Sequence, residues 1–251
     1  MKYLIFIFSF CFWSFSAQNM DLFEKGNTLY NEGKYADAID QYQKLLDNGE
    51  HSAEVYFNLA NAHYKMNHIA PSIYYYEKAL QLKPNDKEIR NNANFARNMT
   101  IDAIDTVPEV GFARLFNNII NLMSYNAWAV MAISFVFTFV ILFLLYRFAS
   151  ISNQKRVAFV VSGVSLALAF FSLFMAFQKQ RLEINDRPAI VFVQESRVKA
   201  EPNLRSEEAF RLHEGTKVQV VDTLKNWKKI KLSDGTLGWI QSEDIRLLNN
   251  F

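Results

Sequence analysis

Cysteine is almost absent from this 251-residue chain: the only one, Cys11, sits in an apolar run after Phe8, Ser9 and Phe10, a poor fit to a lipoprotein signal. If that run is removed as a leader, disulfide scaffolds, thiol redox chemistry and cysteine-ligated metals are excluded. An excess of charge of one sign is also missing. The net charge is +2 with no long basic block, which argues against a nucleic-acid partner. Histidine is sparse, and His51, His63, His68 and His213 show no metal-ligand spacing; His63 and His68, five apart, are expected on different faces of a helix. Gly33-Lys34 runs on into Tyr35 without the upstream glycine of a phosphate loop, and Gly163-Val164-Ser165 continues as Leu166-Ala167 inside an apolar run, unlike a nucleophile elbow. No catalytic constellation, metal site or cofactor is expected.

What the chain does have is aromatic and apolar residues, 15% aromatic with 23 Phe. Much of this falls in three runs, Tyr3 to Phe15, Ala127 to Tyr146 and Val157 to Phe177. The first follows Met1-Lys2 and ends in Ser14, Ser16 and Ala17, the layout of a secretory signal peptide over 1–17, with cleavage after Ser16 or Ala17 and an uncleaved anchor as the alternative. The other two are uncharged over 20 and 21 residues, enough at ~1.5 Å per residue to cross a hydrocarbon layer of ~30 Å. The segment 147–156 between them carries Arg147, Lys155 and Arg156 and no acid, as a cytoplasmic hairpin loop would, and a secretory leader places what precedes it outside. Ahead of the first span, within the linker 103–126, Phe112, Leu115, Phe116, Ile119, Ile120 and Met123 recur at helical spacing opposite Arg114, Asn117, Asn118 and Asn121. This predicts an amphipathic helix that lies in the membrane interface or packs on protein. In the second span Ala158, Ser162, Ser165, Ala169, Ser172 and Ala176 form one small-residue stripe, a helix-docking face whose occupant is the first span or a helix of another protein.

Within the helical region 18–102, residues 19–84 carry an internal period. Gly26, Asn27, Tyr30, Gly33, Tyr35, Ala38 and Tyr42 align with Ala60, Asn61, Tyr64, Asn67, Ile69, Ser72 and Tyr76 at a constant shift of 34, and the second copy continues through Ala79 to Pro84. This resembles two tetratricopeptide repeats (TPRs), all-α helix pairs with small residues at helix crossings and aromatics between them. Two copies are fewer than the roughly three that bury a continuous core, so the segment from Asp86 to Met99 is expected to close the stack as a capping helix, with Ile89, Ala93, Phe95 and Ala96 turned inward. The resemblance implies peptide binding on the face lined by the first helix of each pair, where Asn27, Tyr30, Asn61 and Tyr64 are the candidates; the alternative is that they only pack helices. Phe23 and Phe57 stand where a charged-peptide clamp would carry lysine.

From Pro188 the period becomes strand-like, with a run at Ala189 to Val193, alternation at Val218-Gln219-Val220 and Ile230-Lys231-Leu232, and turns at Glu214-Gly215 and Ser233-Asp234-Gly235-Thr236. Together with Gly238-Trp239-Ile240 the pattern over 188–251 resembles a bacterial SH3 domain, an all-β SH3-like barrel, although the family's Val-Arg-(x)2-Pro motif reads Val198-Lys199-Ala200-Glu201-Pro202 here. Trp227 and Trp239 are candidates for a binding surface, with at least one expected in the core. Lys225, Lys228, Lys229 and Lys231 around Trp227 read as a solvated face.

The order of leader, two repeats with a capping helix, transmembrane helices at 127–146 and 157–177, and a C-terminal SH3-like domain resembles the BatE-type membrane proteins of Bacteroides aerotolerance (Bat) operons. The resemblance implies a multi-pass protein of the bacterial inner membrane with both soluble modules periplasmic. It also implies partners among membrane proteins with von Willebrand factor A domains and an associated MoxR-type ATPase, in an envelope complex tied to aerotolerance or stress. The alternative is a cell-wall protein whose SH3-like domain binds peptidoglycan.

Overall fold

The computed structural model describes residues 19–104 and 111–249; the leader expected over 1–17 and most of the breaker stretch before the amphipathic helix lie outside them. The chain forms two compact units, one built from the repeats together with the C-terminal domain and one from the segment between them.

In the first unit, helix α1 (19–31) pairs with α2 (Tyr35–Asp47), and α3 (Ala53–Lys65) with α4 (Ile69–Leu82), followed by a single helix α5 (Lys87–Arg97). Ser52 caps α3 by accepting from the Val55 amide, and Asp86 caps α5 by accepting from the amides of Glu88 and Ile89, each satisfying donors that a first turn leaves open. The turns within the pairs repeat as well. Gly33 and Asn67, 34 apart, both adopt left-handed backbone (φ 77° and 59°), which glycine and asparagine accept most readily. At the first crossing a Cβ on Gly26 would lie 2.6 Å from the Tyr42 ring, so the aromatic fills the space that glycine leaves. Ser72 donates from its hydroxyl to the Ala60 carbonyl at the second crossing.

The same period fixes a hydrogen-bond ladder. The Asn27 carboxamide oxygen accepts from the Tyr42 hydroxyl (2.8 Å) and from Asn58 Nδ2 (2.9 Å); Asn61 accepts in the same way from Tyr76 and from Asn92 Nδ2 (3.2 Å). Since Asn92 lies 34 residues after Asn58, α5 is the first helix of an incomplete third repeat and not only a cap. Ile89, Ala93 and Ala96 are buried as expected, but Phe95 is 61% exposed. The repeat register explains it: Phe95 is 34 residues after Asn61, whose partners are Tyr76 on the second helix of its pair and Asn92 on the next helix, and among the described residues α5 has no second helix of its own to cover the ring.

Seven antiparallel strands follow: β1 (Pro188–Val191), β2 (Glu195–Lys199), β3 (Glu208–His213), β4 (Lys217–Leu224), β5 (Trp227–Lys231), β6 (Leu237–Gln241) and β7 (Ile245–Leu247), in the order β3-β2-β6-β5-β4-β1-β7. Alternation drives Val198, Leu212, Val218, Val220, Ile230 and Ile240 into one core. Gly238 is required there, because a Cβ would sit 2.4 Å from Val198 Cγ1. Trp227 and Trp239 are only half-buried and belong to no core cluster, which corrects the expectation of a core tryptophan: they fall on the strand face opposite Ile230 and Ile240.

The second unit holds α6 (Gly111–Ile120), α7 (Tyr125–Phe148) and α8 (Ser152–Asn185). Ser124 caps α7 by accepting from the Ala127 amide. Both α7 and α8 are long and apolar enough to cross a membrane. They extend past the apolar runs, so the expected ten-residue loop narrows to residues 149–151; no proline or glycine interrupts the polar flanks, and helical bonding continues through them. The six stripe residues of α8 are all buried against α7, and Ser165 Oγ donates to the Phe135 carbonyl at 2.9 Å. Helix α6 buries Ile120 with Trp128 and Met175, and Trp128 Nε1 donates to the Ile120 carbonyl; Phe112 and Leu115 remain exposed.

Candidate functional site

Asn27 and Asn61 come together with Asn58 and Asn92 in the ladder, so their carboxamide oxygens are engaged in holding the helix pairs. Tyr30 lies edge-on to Tyr35 with ring centres 5.3 Å apart, and burial, aided by Tyr35, raises its pKa. Tyr64 is half-buried against the repeat core. The row these residues form, continued by Phe95 on α5, is neutral and aromatic. Phe23 and Phe57 pack against Tyr42 and Tyr76, so the positions a charged clamp would use are filled by rings.

The largest feature that sequence reasoning missed is the docking of the barrel onto the repeats. Ile190 and Leu248 are fully buried in the same cluster as Ile73, Tyr76, Ala93 and Ala96. The Tyr74 hydroxyl donates to the Leu247 carbonyl (3.3 Å) and its ring meets Phe192 edge-on, while the Arg246 guanidinium lies 4.2 Å over Phe192. Glu77, buried on α4, pairs with Arg97 of α5 (2.6 Å) and Lys217 of β4 (2.7 Å). Asp102, just after α5, accepts three hydrogen bonds: from the His213 amide (2.7 Å), from His213 Nδ1 (2.7 Å) and from the Thr216 hydroxyl (2.6 Å). These contacts come from α4, from Ala93 and Ala96 of α5 and from the segment after it. The barrel thus covers the side of the stack formed by α4, α5 and the segment after α5, and the cluster it joins also includes Ala53, Tyr56 and Ala60 of α3. Glu77 carried a signal in the sequence, an acid four residues after Ile73 on an otherwise apolar helix face; Asp102 carried none.

Both acids tie this junction to pH. Burial alone would raise the Glu77 pKa, but Lys217 and Arg97 outweigh it and hold the carboxyl below its ordinary value. For Asp102, too, burial pulls upward and is outweighed by the bonds from His213 and Thr216. Groups with depressed folded pKa values stabilise fully above their unfolded values, 4.5 and 3.8 here, and lose that contribution as pH falls through the folded ones. Thermal unfolding of the full chain in detergent micelles should therefore shift to lower temperature below about pH 4. The Glu77→Gln, Asp102→Asn double variant should show a smaller acid shift.

His63 and His68, expected on different faces, meet instead, with Nδ1 atoms 3.2 Å apart, because α3 ends at Lys65 and the left-handed Asn67 turns the chain back. The His63 ring stacks on Tyr75, and burial, with a smaller effect of His68, pushes its pKa down to about 4. Among the described residues no three side chains of His, Cys, Asp or Glu gather as a metal site requires.

Residues 53–86 match the family model of the tetratricopeptide repeat, residues 26–67 match a second TPR repeat model, and residues 195–246 match the bacterial SH3 domain. No curated protein matches the chain at a significant level. The chain therefore combines TPR repeats and a bacterial SH3 domain, typically non-catalytic interaction modules, with two apolar helices that suggest membrane association.

Proposed function

We propose that this protein is a membrane-anchored, non-catalytic scaffold of a bacterial envelope complex, of the kind assembled around Bat-type membrane proteins with von Willebrand factor A domains and a MoxR-type ATPase. The observation that carries the reading is the single body formed by repeats and barrel across the intervening hairpin. An antiparallel helix pair returns the chain to the side it left, and two modules that share one core must be on one side. The secretory leader makes that side periplasmic. Partners are held on the row of Asn27, Tyr30, Asn61 and Tyr64.

Affinity purification from native membranes, after photocrosslinking from position 64, tests the reading: it should recover the A-domain proteins and the ATPase, and Asn61→Ala, Tyr64→Ala should weaken recovery. Recovery of peptidoglycan fragments, with sedimentation of the full chain on cell-wall sacculi, would replace it by the wall-binding alternative. Reporters fused after residue 104 and after Phe251 should behave as exported, and one inserted at Ser150 as cytoplasmic. A cytoplasmic signal at 104 would overturn the topology.

A further inference from the structure

The outward face of β5 and β6 has a composition that neither the barrel core nor the junction with the repeats uses. Directly opposed residues of antiparallel strands share a face. Trp227 opposes Gln241 on one side and Leu224 on the other, Lys229 opposes Trp239, and Lys231 opposes Leu237. The two indoles, two leucines and two lysines therefore lie on one surface, with Lys229 Nζ 6.0 Å from the centre of the Trp239 ring. Leu224 and Leu237 are each 50% exposed, and Leu204, 73% exposed, lines one cleft with Trp227. Lys225 adds charge at the tip of the β4–β5 hairpin, and Lys199 opposes Trp239 from β2. The acids on this surface are Asp222, opposite Lys229, Glu208, opposite Lys199, and Glu243, at the rim of the Trp227 cleft.

We infer that this Trp-Leu-Lys face is a lipid-contacting surface that rests on the anionic headgroups of the membrane crossed by α7 and α8. Three observations select lipid as the occupant. Tryptophan, leucine and lysine side by side suit the layer where apolar depth and polar headgroups meet: indoles sit at headgroup level and ammonium groups pair with anionic lipids. The lysines Lys199, Lys225, Lys229 and Lys231 outnumber the three acids, so the face keeps a net positive charge toward a negative surface. Finally, there is almost no linker. The apolar run of α8 stops at Phe177, the helix ends at Asn185 and β1 starts at Pro188, so at ~1.5 Å per helical residue the tether beyond the apolar run is about 12 Å. A barrel held this close always has lipid within reach, and a weak surface suffices because the entropy of encounter is already lost.

The inference rests on α7 and α8 being spans, and the test separates the two. The full chain with Cys11→Ser and Leu237→Cys carries one nitroxide and is reconstituted in nanodiscs of phosphatidylcholine alone or mixed with phosphatidylglycerol; a second version carries the label at Glu207, just before β3. Electron paramagnetic resonance then compares collision with oxygen, which partitions into lipid, against a water-soluble nickel chelate. In anionic discs the label at 237 should show a several-fold fall in nickel accessibility that the label at 207 does not, reversed by high salt and by Trp227→Ser, Trp239→Ser. Failure of the chain to enter nanodiscs would overturn both the spans and this surface. Incorporation with an aqueous label at 237 in both lipids would overturn this surface alone, as would shielding at 237 that appears only when a partner protein or sacculi are added.

Discussion

Replacing Asp102 by alanine is expected to cost the repeat–barrel body about 3 kcal/mol, since removing an acceptor from buried donors costs on the order of 1–3 kcal/mol per group. The carboxylate accepts from the His213 amide, the His213 ring and the Thr216 hydroxyl, and Thr216 is buried. The donors lie at the end of β3 (His213) and on the turn to β4 (Thr216), while Asp102 belongs to the segment that leaves the repeats, so these bonds join the two modules. Asp102→Asn should cost less, because it keeps one acceptor oxygen while turning an amide toward a donor. Thr216→Val should cost least, since it removes one bond and leaves the carboxylate with two. Chemical denaturation of the full chain in micelles checks the order, followed by the near-ultraviolet signal of the tryptophans and, separately, by helical content. In the wild type both signals should fall together; in Asp102→Ala they should separate as the modules come apart. A cost below about 0.5 kcal/mol, the range of ordinary surface substitutions, would show that the junction does not depend on this residue.

What could be read from the sequence was whatever repeats or alternates. The 34-residue shift located the helix pairs, and because it comes from residue identities it also reached the left-handed turns at Gly33 and Asn67. Strand alternation placed Val218, Val220 and Ile230 in the barrel core, and the spacing of small residues in α8 marked its buried stripe. Carried one step further, the same shift would have reached Asn92 and Phe95 and shown α5 to be the start of a third repeat. The docking of barrel on repeats has no such signal. Its pairs are 140 residues apart for Lys217 and Glu77 and 111 for His213 and Asp102, with the α7–α8 hairpin between, and a lone Asp after a helix looks like any polar linker residue. The candidate face was legible in position and not in role: the pattern named Asn27 and Asn61, but only the coordinates show their oxygens bonded to Tyr42, Asn58, Tyr76 and Asn92. The tryptophans were misassigned because a 60-residue barrel ordinarily needs an aromatic core, and here valine, leucine and isoleucine fill it.

Two glycines in like conformations distinguish backbone strain from docking. Gly215 and Gly235 both have positive φ, 84° and 94°, which an alanine adopts at a cost of about 1 kcal/mol. Around Gly235 there is nothing within 4 Å of an added Cβ, so Gly235→Ala should cost only that backbone term. At Gly215 the same atom would lie 2.8 Å from Ile73 Cδ1, 2.8 Å from Thr100 Cγ2 and 2.9 Å from Ile69 Cγ2, all of them on the repeat side of the junction. Ile73 is almost fully buried and cannot swing away, so overpacking of about 1–3 kcal/mol adds to the strain and the total for Gly215→Ala reaches about 2–4 kcal/mol. Because the collision is with the other module, the chain has a way to relieve it, which is to separate barrel from repeats. The measurement is therefore double: denaturation midpoints for both variants, and crosslinking between cysteines placed at Gln81 and Asn249, whose side chains are hydrogen-bonded in the docked body, in a Cys11→Ser background. Gly235→Ala should keep the crosslink and Gly215→Ala should lose most of it. Equal costs for the two, with the crosslink intact in both, would mean that Ile69, Ile73 and Thr100 give way easily and that barrel and repeats are only loosely joined.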